Sequence, residues 1–456
     1  MSTKETDGTP QPQSAPSAGN FDPTFGNNGV VALKLPDGTI TSVPISGIAS
    51  NLTSDVDHRI YVGAWENETY IIRLLPDGEI DKSFASAGYL TLPRGGAEDA
   101  RLTIETFIPM ESGKIIGWGI IYKFSPSHDR TFIVPAAVCF TADGVLDTAF
   151  GINGLATYKE LIPKTTSTED LSSQSQKEPL PVGLSDIEKY DGAGRPAVSR
   201  AFKQVDGKLL LCGKVSYPIQ PYDIASYLLK INIDGSLDKN FGQDGILLIR
   251  DPDYSALPTC DYFDIDRRGG IVVAGTHYRA VQPILIARYD SEGHADRGFG
   301  KNGVVHINNP APYASQSRGV IALDDGKIIV MAAFFVSDIV DQHAIAIKLL
   351  PNGDRDPAFN NGEPVSIDVL AARRCTLDDG NRIVFAGEKS GDGTACISRV
   401  LPNGALDTGF GLNGTVELER FQWVRLVAIQ NRVNILAVST DRESEPPQEY
   451  IFRIIG

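Results

Sequence analysis

Asn403-Gly404-Ala405-Leu406-Asp407-Thr408-Gly409-Phe410-Gly411-Leu412-Asn413-Gly414 is one copy of a pattern that returns along the whole chain. Its heart is Asp-x-x-Phe. The Asp is at Asp22, Asp81, Asp147, Asp238, Asp296, Asp356 and Asp407, and the Phe at Phe25, Phe84, Phe150, Phe241, Phe299, Phe359 and Phe410. A recurring unit decides the fold, because one unit cannot bury its apolar face alone and must stack on the next. Residues present in every copy are expected to build the unit, so the pattern speaks for architecture before activity.

Outward from the motif, turn pairs precede six copies: Asp77-Gly78, Asp143-Gly144, Asp234-Gly235, Glu292-Gly293, Asn352-Gly353 and Asn403-Gly404. Glycine there supplies the positive φ of tight turns. An apolar strand runs into each turn, as in Tyr70 to Leu75 and Tyr227 to Ile231, and Tyr450 to Ile455 is the seventh. A second strand lies before it (Lys208 to Gly213), and a further one before that (Arg318 to Leu323, Val424 to Ile429). A fourth follows the Phe, as in Val30 to Leu35, Ile246 to Ile249 and Val304 to Ile307. Four short strands per unit without helical periodicity predict an all-β fold, a seven-bladed β-propeller of four-stranded antiparallel blades. The chain begins on a Phe-Gly corner and ends on the strand that should precede one. The ring is therefore expected to close by pairing of the N-terminal and C-terminal strands, which removes exposed edges.

The full pattern, Asp/Asn-Gly-x-x-Asp-x-x-Phe-Gly-x-x-Gly after an apolar strand carrying Arg or Lys, resembles the bacterial delta-60 repeat from about Phe21 to Gly456. The resemblance implies a propeller and carries no agreed chemistry. Two copies depart from it, with Ala85 after Phe84 and Asn360 after Phe359; altered turns are expected there. The domain reading is a disordered N-terminal tail over 1–20, rich in Ser, Thr, Pro, Gln and Gly, and one propeller over 21–456. A long insertion over 157–198 stretches one repeat spacing to 91 residues (238 minus 147). It reads as a disordered excursion or as a lid over the channel.

The formal net charge of -15 over 456 residues argues against nucleic-acid partners and anionic membranes. No apolar run approaches the roughly 18 residues of a membrane span, and Met1 to Asn20 has no apolar signal core. The expected location is cytoplasmic, or exported without a cleavable signal peptide. Cys139, Cys212, Cys260, Cys375 and Cys396 form no CxxC pair and read as buried free thiols.

On the strand before each motif sits a basic residue, Arg73, Lys230, Arg288, Lys348, Arg399 or Arg453, with Cys139 the exception. Each motif Asp is expected to cap its loop and pair with that cation, and each motif Phe to enter the core; a ring of ligand-binding ion pairs is the competing reading. Recognition is expected instead where copies differ. Loops between second and third strands carry Trp65, Tyr122, Tyr217, His277, Tyr278, Phe334 and His343; such residues suit sugar stacking or protein contact, or fold back onto the core. Inner strands carry Arg200, Arg318, Arg373, Arg374 and Arg425, which would hold a carboxylate or phosphate if they converge.

Enzyme motifs are missing: the six His show no HExxH spacing, and no GxSxG elbow or P-loop is present. The leading expectation is a non-enzymatic binding module that recognises a protein or glycan through one face, with no cofactor. A lactonase-like metal-dependent hydrolase is the alternative; it requires a divalent cation in the channel, for which Glu105, Asp261 and Asp264 are the inner-strand carboxylates. A structural scaffold in a larger assembly is the third reading.

Overall fold

A computed structural model describes residues 17–38, 52–65, 69–92, 100–124, 130–158, 198–205, 207–216, 224–254, 258–276, 283–310, 315–335, 342–367, 369–389, 393–441, 443–445 and 448–456. The described residues form an all-β, strand-rich chain with a single 3₁₀ turn, Asn360–Gly362. None of their helices is long and apolar enough to cross a membrane.

The first strand, β1 (Val30–Ala32), stands apart from those that follow it. Next come five antiparallel four-stranded sheets, each in chain order. One holds β2 (Leu52–Ser54), β3 (Ile60–Trp65), β4 (Thr69–Leu74) and β5 (Tyr89–Thr91). Then come β6 (Ala100–Pro109), β7 (Ile115–Phe124), β8 (Arg130–Phe140) and β9 (Leu155–Thr157). The third sheet has β10 (Val198–Val205), β11 (Lys208–Ser216), β12 (Ile224–Ile231) and β13 (Ile246–Leu248). The fourth has β14 (Thr259–Ile265), β15 (Ile271–Thr276), β16 (Ile284–Tyr289) and β17 (Val304–Ile307). The fifth has β18 (Ser315–Ala322), β19 (Ile328–Phe335), β20 (Gln342–Leu349) and β21 (Val365–Ile367).

The sixth sheet has seven strands: β22 (Leu370–Leu377), β23 (Ile383–Glu388), β24 (Thr394–Val400), β25 (Thr415–Gln430), β26 (Asn434–Asp441), β27 (Glu449–Ile454), and finally β1. It is continuous because β25 is long. Its first half pairs with β24 and its second with β26. The sequence reading has two separate strands there. At the far edge Val30, Val31 and Ala32 pair with Phe452, Ile451 and Tyr450.

Successive sheets pack first strand to first strand, from β2 on β6 through β18 on β22 and β22 on β25, and β25 packs back on β2. Seven buried apolar clusters lie between neighbouring strand groups, and each contains one motif Phe. Phe84, for example, joins Tyr61 and Ile71 to Ile104 and Ile115. The cluster around Phe25 joins Ile60 and Val62 to Leu436 and Ile451, the two ends of the strand series. All seven rings are almost fully buried, each worth about 2–3 kcal/mol of transfer free energy.

The two ends of the strand series meet in a split turn. In the covalent turns, the residue after a motif Phe donates its N–H to the carbonyl before the next turn glycine, as Gly26 does to Asp77 at 2.8 Å. Gly411 donates instead to Ala18 at 3.2 Å, and Gly19, at φ 90°, donates to Ile455 at 2.7 Å. Ile455 donates to Asn20 as Leu75 does to Glu79. Residues 17–20, read from sequence as part of the tail, thus belong to the fold; residues 1–16 and 159–197 lie outside the described residues.

Of the two irregular corners, one is altered as expected and one is not. Ala85 keeps the left-handed conformation, φ 42°, that glycine adopts at the matching Gly26, φ 50°. Only at Asn360 does the corner change, into the 3₁₀ turn. The cysteines are free thiols, all buried except the half-buried Cys375.

Candidate functional site

The motif carboxylates are the first candidates, and local bonds consume them. In all seven copies one Asp oxygen accepts the backbone N–H two residues on, and the Asp carbonyl accepts the N–H of the Phe. The other oxygen meets a cation. Arg453 reaches Asp22 at 2.9 Å, Arg73 reaches Asp81 at 2.8 Å, Arg288 reaches Asp296 at 2.7 Å and Arg399 reaches Asp407 at 2.8 Å. Several of these guanidinium groups stack on the motif ring, Arg73 at 4.3 Å from the centre of Phe84.

Three copies depart from the expected pairing. Asp147, Asp238 and Asp356 are met by Lys114, Lys208 and Lys327 at 2.6, 2.8 and 2.9 Å, from the start of the second strand. Lys230 spends its ammonium on the carbonyl of Ser291 at 3.0 Å. Cys139, which fills the cation position in the second sheet, has its thiol pushed up to about 12 by burial and by Asp147; it is no nucleophile at neutral pH.

The inner strands are different. Six first strands slip register once against their partners, at the steps Ile104/Thr106, Val198/Phe202, Cys260/Tyr262, Ser317/Gly319, Leu370/Arg374 and Gln422/Leu426. Each slip leaves extra residues, and such bulges re-aim a side chain. Counting back four from the residue opposite the first apolar residue of the second strand (Ile115, Leu209, Ile271, Ile328, Ile383 or Ile435) gives the same position every time. Pro109, Gln204, Ile265, Ala322, Leu377 and Ile429 lead to Glu105, Arg200, Asp261, Arg318, Arg373 and Arg425. The fold thus brings four sequence-picked arginines and two sequence-picked acids to one equivalent position on strands that pack in series. Arg374 is next to the bulge, opposite Ala386. Of these side chains the structure describes that of Arg318, which is half-buried. Asp264 is not available as a channel ligand: it is buried, and its Oδ2 accepts the N–H of Ala322 on the next sheet at 3.0 Å.

The aromatic candidates are less coherent. Trp65, Tyr122 and His343 belong to strands β3, β7 and β20 rather than to loops. Tyr217, His277 and Tyr278 lie outside the described residues. Phe334 is a core residue. Antiparallel order fixes one relation among these parts: the second-to-third connection of a sheet lies at the end opposite its Asp-x-x-Phe corner.

One cluster escaped the sequence reading. Asp251 and Asp253 lie in the connection leaving β13, and His306 lies on β17, the edge strand of the next sheet. His306 Nε2 is 2.8 Å from Asp251 Oδ2, whose side chain is fully buried. His306 Nδ1 faces Asp253 Oδ2 at 3.9 Å. Lys301 Nζ holds the other Asp253 oxygen at 2.7 Å, and that bond raises the Lys301 ammonium above its ordinary range. Tyr254 stacks edge-on against the imidazole at 5.3 Å. Among the described residues this is the cluster of His and carboxylates close enough to share a metal ion. The available signal was a two-carboxylate turn after one fourth strand and a His on the next.

A sequence family described as "Domain of unknown function (DUF5122) beta-propeller" matches residues 57–84. No curated protein matches the chain. Among solved structures, it is similar to "YCF48 bound to D1 peptide" at 10% identity and TM-score 0.44, over 97% of this chain and 99% of that one. Polysaccharide lyase Uly1 is similar at 10% identity and TM-score 0.48, over 92% and 93%. The K499G mutant of NanB sialidase from Streptococcus pneumoniae is similar at 10% identity and TM-score 0.39, over 94% and 70%. At these values no residue role passes from them to this chain.

Proposed function

We propose that the chain is one seven-bladed β-propeller that works as a non-enzymatic recognition module for an anionic group on a protein or glycan. Dividing the seven-stranded sheet at β25 supports the blade count, since it leaves seven groups of four strands. Seven interleaved cores, one per motif Phe, and the split turn at Ala18 and Ile455 support closure of the ring.

The observation that carries the function is the bulge position. Arg318, Arg373 and Arg425 fill it in three consecutive units, within a chain of net charge -15. Spending arginine there in an acidic protein makes sense if it meets negative charge from outside. Guanidinium forks match carboxylates, which are common to acidic peptides and uronic acids. The corner carboxylates, by contrast, are spent on the scaffold.

The test is anisotropy binding of labelled oligoglutamate and oligogalacturonate to the full chain and to an Arg318→Ala, Arg373→Ala double variant. Each lost charge-assisted hydrogen bond is worth about 1.5–3 kcal/mol, so affinity for the recognised anion should fall about a hundredfold or more. Unchanged binding by the double variant, or no binding of either anion by the native chain, removes the proposal.

A further inference from the structure

The imidazole of His306 lies between two carboxylates, and the two sides differ. Toward Asp251 the separation is 2.8 Å, a hydrogen bond. A carboxylate only accepts, so Nε2 carries the proton. Nδ1 is the ring nitrogen that remains for a further ligand, and it faces a second carboxylate oxygen, Asp253 Oδ2, at 3.9 Å. That is too far for a direct hydrogen bond, and a cation between the two atoms would bind both. Donor atoms around a tetrahedral zinc with bonds of about 2.1 Å stand about 3.4 Å apart, so a small movement accommodates an ion.

The surroundings favour the same arrangement. Asp251 is fully buried, and its other oxygen is fixed by the Asp253 N–H at 3.0 Å. A buried carboxylate that orients a ligating imidazole through its distal N–H is the usual support of a metal-bound histidine. The Tyr254 ring edge restrains the imidazole. His306 and Asp253 keep 20% and 32% of their side-chain surface exposed, so an ion can enter. We propose that His306 Nδ1 and the Asp253 carboxylate bind a late first-row divalent metal ion of the zinc or nickel type at the outer flank, with Asp251 as the positioning residue. The imidazole ligand disfavours calcium and magnesium. Lys301, on the second Asp253 oxygen, is the built-in competitor.

Zinc chloride titrated calorimetrically into chelator-treated full-length protein tests this. One saturable site is expected. His306→Gln and Asp253→Asn should each weaken it at least about tenfold, the scale on which even loss of an outer partner weakens metal sites. Lys301→Met should tighten it, an effect that a merely structural role for the cluster does not produce. Thermal melts of the metal-free variants check folding, and Asp253→Asn, at an exposed carboxylate, keeps the test decisive should His306→Gln fold poorly. The proposal is overturned if the native chain shows no saturable uptake. It is equally overturned if Asp253→Asn binds zinc as the native chain does, or if Lys301→Met does not bind it more tightly.

Discussion

Replacing Asp81 by Asn tests whether the repeated corner is a stabilising device or ornament. Arg73 has only 4% of its side chain exposed and Asp81 only 7%, and they meet at 2.8 Å. The guanidinium also donates to the Ala142 carbonyl at 2.9 Å and to Ser83 Oγ at 3.3 Å. Asn keeps the oxygen that caps the Ser83 N–H but turns the Arg73-facing atom from acceptor to donor. The result is a buried cation without its counter-charge, which costs about 3–5 kcal/mol. Adding Arg73→Met removes the orphaned charge, so the double variant should be more stable than the sum of the singles by about 2 kcal/mol. The matched control is Lys114→Met with Asp147→Asn. That pair is 38% and 13% exposed, and its loss should cost no more than about 1 kcal/mol. Urea unfolding followed by the fluorescence of buried Trp118 measures these differences, with the slope compared between variants. If Asp81→Asn is within about 0.5 kcal/mol of the native chain, like an ordinary surface substitution, the buried-pair reasoning is wrong.

Acid unfolding should follow the same corners. Burial raises the carboxyls of Asp22, Asp81, Asp238 and Asp356. Hydrogen bonds from the following residues and the facing cations outweigh it and hold all four below the ordinary range. With folded values depressed, their contribution is complete above the unfolded value near 3.9 and is lost as pH falls through the folded ones. Stability should therefore stay level down to about pH 4 and drop below it, more shallowly in Asp81→Asn; a drop of equal steepness in that variant would count against the assignment. Gly19→Val should open the split turn: φ is 90° there, and a Cβ would lie 2.3 Å from the Gly411 nitrogen. Size-exclusion chromatography should show self-association through the freed β27 edge, and a variant as monomeric and as heat-stable as the native chain would refute the closure.

What could be read from sequence was whatever is local. Asp-x-x-Phe is visible because capping, turn and ring burial all occur within four residues, and Arg73 is visible because it lies eight residues before Asp81. The long reach of β25 was not legible, since nothing in Thr415–Gln430 marks where one pairing ends and the next begins. Nor was the pairing of Asp251 with His306, which are 55 residues apart, one in the connection after β13 and the other on β17.

The lysine corners show why composition alone misleads at a position that looks equivalent. An arginine fork serves two masters: Arg73 holds Asp81 through Nε while another arm crosses to the next turn at Ala142. A lysine is one point charge on a flexible stem and serves one. Lys230 goes to the crossing bond, at Ser291, and Asp238 then needs Lys208. Lys348 likewise leaves Asp356 to Lys327, and Cys139 leaves Asp147 to Lys114. Where the strand residue is Arg288, Gly270 stands at the position before the second strand's first apolar residue that Lys114, Lys208 and Lys327 fill in the lysine-assisted copies, and Arg288 itself holds Asp296. Each motif Asp therefore meets a cation, but not one from a fixed position, and its partner becomes visible only once two neighbouring strands are read together.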